Sequence, residues 1–210
     1  MPQFSARIVA GEIDVTARLA EFGLVPDQIV TVADVARAWA GDASPLMPVN
    51  APGTLAYIHG VQEMRMQIIG NGWEPDRSCN VEAIINRDRK LRIAFQNVDR
   101  SCDEYFPPMP RSAKGKGAEQ FNGPDLFEHF GVEPGPLTGV REDGLPTFYI
   151  MVGEDSSVEL SQPIIKNGTY KRFIERIFVR SPGQDWESEI DPETGPVEDF
   201  DIQVSFKDDV

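Results

Sequence analysis

The sequence predicts an α+β protein in which a helical N-terminal third packs on a mainly antiparallel β-sheet built of hairpins. Two patterns carry that prediction. Before residue 72, apolar residues recur at helical spacing between glycine and proline stops; beyond it they alternate with polar residues in short runs joined by polar turns. All the strands can belong to one sheet. The 210 residues are therefore read as a single α+β domain, helix-rich over 1–72 and β-rich over 73–210, with an acidic segment at 185–210. A chain of this length buries roughly 70% of its unfolded surface and needs no disulfide or metal staple.

The elements follow in order. Glu12 to Phe22 makes a first helix, with Ile13, Ala17, Leu19 and Ala20 on one side and Gly23 as the stop. Thr31 caps a second helix over Val32 to Ala40, with Asp34 in its first turn and Gly41 at its end. Residues 42–53 contain Pro45, Pro48, Pro52 and Gly53 and read as an irregular connection. Thr54 caps a third helix whose stripe is Tyr57, Ile58, Val61, Met64 and Ile68, ending at Gly70-Asn71-Gly72. Gly60 inside it costs roughly 1 kcal/mol against alanine.

Strands come next. Val81, Ala83 and Ile85 alternate with other residues, Asn86 to Lys90 turns the chain, and Leu91, Ile93 and Phe95 alternate again, which predicts a hairpin with one apolar face. A short helix runs from Pro124 to Phe130, closed by Gly131, before a Pro/Gly-rich connector over 133–146. A second hairpin joins Thr147–Val152 to Val158–Leu160 through Gly153 to Ser157. Residues 170–180 fit a helix through Tyr170, Phe173, Ile174, Ile177 and Phe178, and equally a buried strand at Ile177-Phe178-Val179. Phe200, Ile202, Val204 and Phe206 form a last strand.

Charge narrows the function classes. The chain has 34 acids and 20 bases, a net charge of −14. Direct binding to nucleic acid or to an anionic membrane is disfavoured, because both would repel it. There is no run of 18 apolar residues and no basic-then-apolar leader, and the two cysteines, Cys79 and Cys102, make no disulfide framework. The expectation is a soluble cytoplasmic protein with reduced thiols. His59 and His129 stand alone rather than at metal-ligand spacing, and no nucleophile elbow, Walker loop or dinucleotide-binding glycine pattern occurs. Glu198, Asp199, Asp201 and Lys207 resemble a magnesium-nuclease set only because acids are so numerous. No catalytic residue, metal or cofactor is assigned, and the reading leans against an enzyme.

Two segments remain as candidate sites. Residues 185–210 hold ten acids and one base, −9 of the total −14. Within it Asp185, Trp186, Glu187, Glu189, Asp191, Glu193, Glu198 and Asp199 interleave acids with apolar residues, a pattern that docks on a basic, partly apolar surface and that imitates the charge array of DNA. The other is basic. No acid lies between Glu104 and Glu119, where Arg111, Lys114 and Lys116 are spaced by glycines that let backbone amides approach an anion. Arg77 and Arg100 join this set through a local echo, Asp76-Arg77-Ser78-Cys79 and Asp99-Arg100-Ser101-Cys102, flanking the first hairpin.

The leading expectation is a non-enzymatic acidic binding protein that engages a basic macromolecular partner, in its sharper form a nucleic-acid-binding protein inhibited by charge mimicry. The alternative is a protein or enzyme that binds a nucleotide or other phosphorylated ligand through loop 111–117. A third is a structural subunit of a larger assembly.

Overall fold

The computed structural model describes residues 6–111, 145–166 and 168–183. The expected helix at 124–130, all but the last two residues of the connector at 133–146, the strand at 200–206 and the acidic segment lie outside these residues. The described elements are β1 (Arg7–Val9), α1 (Glu12–Phe22), α2 (Pro26–Gly41), α3 (Ala51–Ile68), β2 (Trp73–Asp76), a 3-10 turn (Ser78–Asn80), β3 (Ala83–Asn86), β4 (Leu91–Asn97), β5 (Thr147–Val152), β6 (Val158–Lys166) and β7 (Thr169–Arg180). The seven strands form one sheet in the order β1-β7-β6-β5-β4-β3-β2.

The molecule is mixed α+β, and the sheet itself is mixed. β4 runs parallel to β5 and β1 parallel to β7; the other pairs are antiparallel. The expected sheet of hairpins is corrected on these two pairs. Parallel neighbours need a long connection that returns the chain to the starting end. The segments between β1 and β7 and between Asn97 and Thr147 are long enough to do so. Two short strands, β1 and β2, escaped the sequence reading because three and four residues carry too little alternation. The ambiguous stretch at 170–180 is strand: β7 pairs with β6 along almost its whole length, which satisfies its backbone in the ladder.

The three helices expected before residue 72 are present and shift in detail. α1 has the expected bounds, and Gly23 closes it at φ 73° while Gly23 and Leu24 N–H groups bond to the Ala20 and Leu19 carbonyls. Its buried face is Val15, Leu19 and Phe22, however, and Ile13 is 85% exposed. The i, i+4, i+7 set wins because α1 is docked from the other side: the Arg18 guanidinium makes two hydrogen bonds of 3.0 and 2.7 Å to Glu175 of β7. α2 starts at Pro26 rather than after Thr31. Proline at the first position needs no N–H acceptor, and Gln28 accepts from the Val25 N–H at 3.0 Å. α3 starts at Ala51 within the expected connection, so Thr54 lies in its first turn and bonds to the Asn50 carbonyl. Ile58 is 51% exposed, while Ala56, Gly60, Val61, Met64 and Ile68 are buried.

Gly60 has a packing reason. A Cβ at this position would lie 2.4–2.8 Å from ring carbons of Phe95 on β4. The missing side chain lets the helix sit directly on the aromatic ring.

All three helices cover one face of the sheet. The core between them contains Leu19, Ile29, Val32, Met64, Ile84, Ile93, Phe95, Phe148, Ile150, Leu160 and Ile177. A second, smaller cluster on the opposite face holds Ala83, Ala94, Val98, Tyr149, Met151, Ile165 and Tyr170. The register corrects the one-faced hairpin. Ile84 pairs with Ile93, while Ala83 and Ile85 pair with Ala94 and Arg92. Hence the 83/85 residues and the 91/93/95 residues occupy opposite faces, and both faces are buried.

Candidate functional site

The parallel pair β4–β5 ends in register, with Asn97 beside Val152. Beyond β5 the chain turns back through Gly153, whose N–H bonds to the Ser157 carbonyl at 2.9 Å. Beyond β4 the chain makes an excursion that returns: Val98 bridges Pro110, and the Arg111 N–H reaches the Asn97 carbonyl at 3.4 Å. Asn97 Nδ2 donates to the Gly53 carbonyl at 2.9 Å and so ties the first turn of α3 to the end of β4. These contacts leave a cleft of about 250 Å³, counting its open mouth, between the strand ends, the start of α3 and the last turns of α2. The carboxyl ends of parallel strands are where open α/β sheets place ligands. Arg37 and Ala40 line it from α2, and Arg111 and Glu154 flank it from the loops.

The predicted basic residues do not assemble into one site. Arg111 pairs with Glu154 at this cleft. Arg100 pairs with its neighbour Asp99 at 3.3 Å and lies over the Phe106 ring. Arg77 sits past β2 at one edge of the sheet and faces Glu82 at 3.3 Å. The sequence echo is not a structural echo: Ser78 to Asn80 forms a 3-10 turn, whereas Ser101 Oγ bonds to Ser157 Oγ at 2.6 Å. Lys114, Lys116 and the eight acidic-segment candidates from Asp185 to Asp199 lie outside the described residues, as does His129. His59 stacks on Trp39, with ring centroids 3.6 Å apart and planes 5° from parallel.

What sequence reasoning missed is the polar half of the face opposite the three described helices. Glu159 is 0% exposed and Arg176 2% exposed. They form a two-pronged pair, with Arg176 Nε to Oε1 at 2.9 Å and Nη2 to Oε2 at 2.6 Å. Ser161 Oγ and the Cys102 N–H also donate to Glu159, at 2.7 and 2.6 Å. Arg176 Nη1 donates to the Asp103 carbonyl, so the pair anchors the segment after β4 onto the sheet. Further across the same sheet, the Arg92 guanidinium of β4 bonds to Asp76 of β2 at 2.8 Å. Burial acts to raise the Asp76 pKa, but hydrogen bonds from Ser78 and Arg92 and the Arg92 charge outweigh it and hold the carboxyl below its usual value. The only sequence signal was a charged residue at an inward position of an otherwise apolar strand.

Cys102 lies against the same pair with φ 57°. Burial, then the nearby Glu159 carboxylate, pushes its thiol up to about 12. It is a neutral, weakly nucleophilic thiol at neutral pH. Among the described residues no cluster of His, Cys, Asp and Glu is arranged to hold a metal ion. No helix among them is long and apolar enough to cross a membrane.

No family model matches the chain, and no curated protein or solved structure matches it.

Proposed function

We propose that the protein is a non-enzymatic binding protein that engages a basic macromolecular partner through an acidic surface, with inhibition of a nucleic-acid-binding protein by charge mimicry as its sharper form. One observation carries this reading: ten acids against one base over 185–210, in a chain of net charge −14. The folded body is consistent with it, because its arginines are largely used internally. Arg7, Arg18, Arg65, Arg92, Arg176 and Arg180 each face a carboxylate.

The test is capture of partners from nuclease-treated lysate by the tagged chain, followed by titration of the purified partner at two salt concentrations. The reading expects a stoichiometric basic protein whose affinity falls with salt and is lost when Asp185, Glu187, Glu189 and Asp191 are neutralised together. Competition by double-stranded DNA for the same partner supports the mimicry form. Unchanged affinity in the quadruple variant removes the reading.

A further inference from the structure

Arg37 lines the cleft from α2, and the described residues do not fully satisfy its guanidinium. Its Nε is buried and has no hydrogen-bond partner, and among the described residues no carboxylate pairs with it. This contrasts with the carboxylate-paired arginines elsewhere in the fold. Arg65 Nε is likewise buried without a partner although Arg65 pairs with Glu82, so it is the missing carboxylate, not the orphan Nε, that leaves the charge of half-buried Arg37 available to an anion. Arg111 stands on the same cleft, held by Glu154. Among the described residues lining the cleft, two guanidiniums therefore face one carboxylate, a locally positive set on a chain of net charge −14. Gly53 leaves one wall open, since a Cβ there would meet nothing within 4 Å.

We propose that this cleft binds a small oxyanion of the phosphate class between Arg37 and Arg111, with Glu154 as an internal competitor for Arg111. Guanidinium groups suit this ligand because their planar forks match phosphate oxygens. The lining does not suit a nucleotide, because among the described residues no aromatic side chain lines the cleft to stack a base. The ligand is free phosphate or the phosphate of a small monoester. The inference does not depend on the acidic-partner reading.

The experiment is calorimetric titration of the full chain with inorganic phosphate and with phenyl phosphate, at constant ionic strength, with acetate and chloride as controls. Saturable binding of both phosphates and not of acetate is expected. Arg37→Met and Arg111→Gln should each weaken it about tenfold or more, the loss of a charge-assisted hydrogen bond. Glu154→Gln should strengthen it roughly threefold by releasing Arg111 from an exposed ion pair. Arg37→Met should melt at or above the parent temperature, because it removes an unsatisfied buried N–H. Tighter binding of the ester identifies a monoester ligand, and equal binding identifies the bare anion. No saturable binding at about 20 mM of either phosphate, far above the millimolar range of a weak site, overturns the proposal. So does an affinity unchanged in Arg37→Met. If that variant fails to fold, an affinity unchanged in Glu154→Gln overturns it instead.

Discussion

The two faces of the sheet are both buried, but by different physics. Toward the helices, β4, β5 and β6 present Ile93, Phe95, Phe148, Ile150, Val158 and Leu160, and contact there is apolar and non-directional. On the other face the same strands present Arg92, Gln96, Thr147, Glu159 and Ser161, whose burial is tolerable only with hydrogen-bond partners in fixed places. The apolar face therefore sets how much stability the fold has. The polar face sets where particular segments go: Glu159 and Arg176 together hold Cys102 and Asp103, and with them the chain that leaves β4.

The difference is sharpest when the buried pair is broken. Arg176→Met leaves Glu159 charged with no guanidinium, at an expected cost of about 3–5 kcal/mol in urea unfolding. Replacing both partners with methionine should recover only part of that loss, because the Cys102 N–H, the Ser161 hydroxyl and the Asp103 carbonyl then lose their acceptor or donor. Ile93→Ala on the apolar face should cost about 2–5 kcal/mol, and Ile93→Leu less than about 1.5. A volume-conserving swap is tolerated at Ile93 but not at Arg176. Equal tolerance of Arg176→Lys would contradict the contrast, since a lysine cannot reproduce the two-pronged geometry.

A smaller effect is expected at the helix–sheet contact. Gly60→Ala forces the Phe95 ring to move, for a loss of about 1–3 kcal/mol despite alanine's better helix propensity. Gly53→Ala in the same helix, with open space around it, should be neutral or mildly stabilising by thermal melting.

The smallest is a pH effect on the polar face. The Asp76 carboxyl is held below its ordinary value of 3.8 in the folded state. Its stabilisation is thus fully present above the unfolded value and is lost as pH falls through the folded one. Melting temperature should drop as pH falls below about 4, and Asp76→Asn should flatten that part of the profile. A profile identical in parent and variant would remove Asp76 from the account.

Much of this was legible in the sequence, for local reasons. The span of α1, the Gly23 stop, the 86–90 turn and strands β4 and β5 rest on periodicity and turn chemistry, which the chain carries residue by residue. Arg111 was legible as a basic residue in an acid-free stretch, but not as a partner of Glu154, 43 positions further on in the chain. Arg37 gave no signal at all, because one arginine on a helix with acids nearby reads as a solvated surface residue.

Composition alone determined the large negative charge, and pattern determined a helical N-terminal third followed by strands. Tertiary structure decided which side of each element is inside, which strands run parallel, and that Glu159 and Arg176 lie beneath a covered face. The reason is that periodicity reports that a side is apolar, not what meets it. Ile13 lost its place to Val15 because Arg18 docks α1 on Glu175, and Gly60 is explained only by a phenyl ring 35 residues further along the chain. Such choices belong to pairs of residues distant in sequence, and they acquire an energy only when the fold brings the two together.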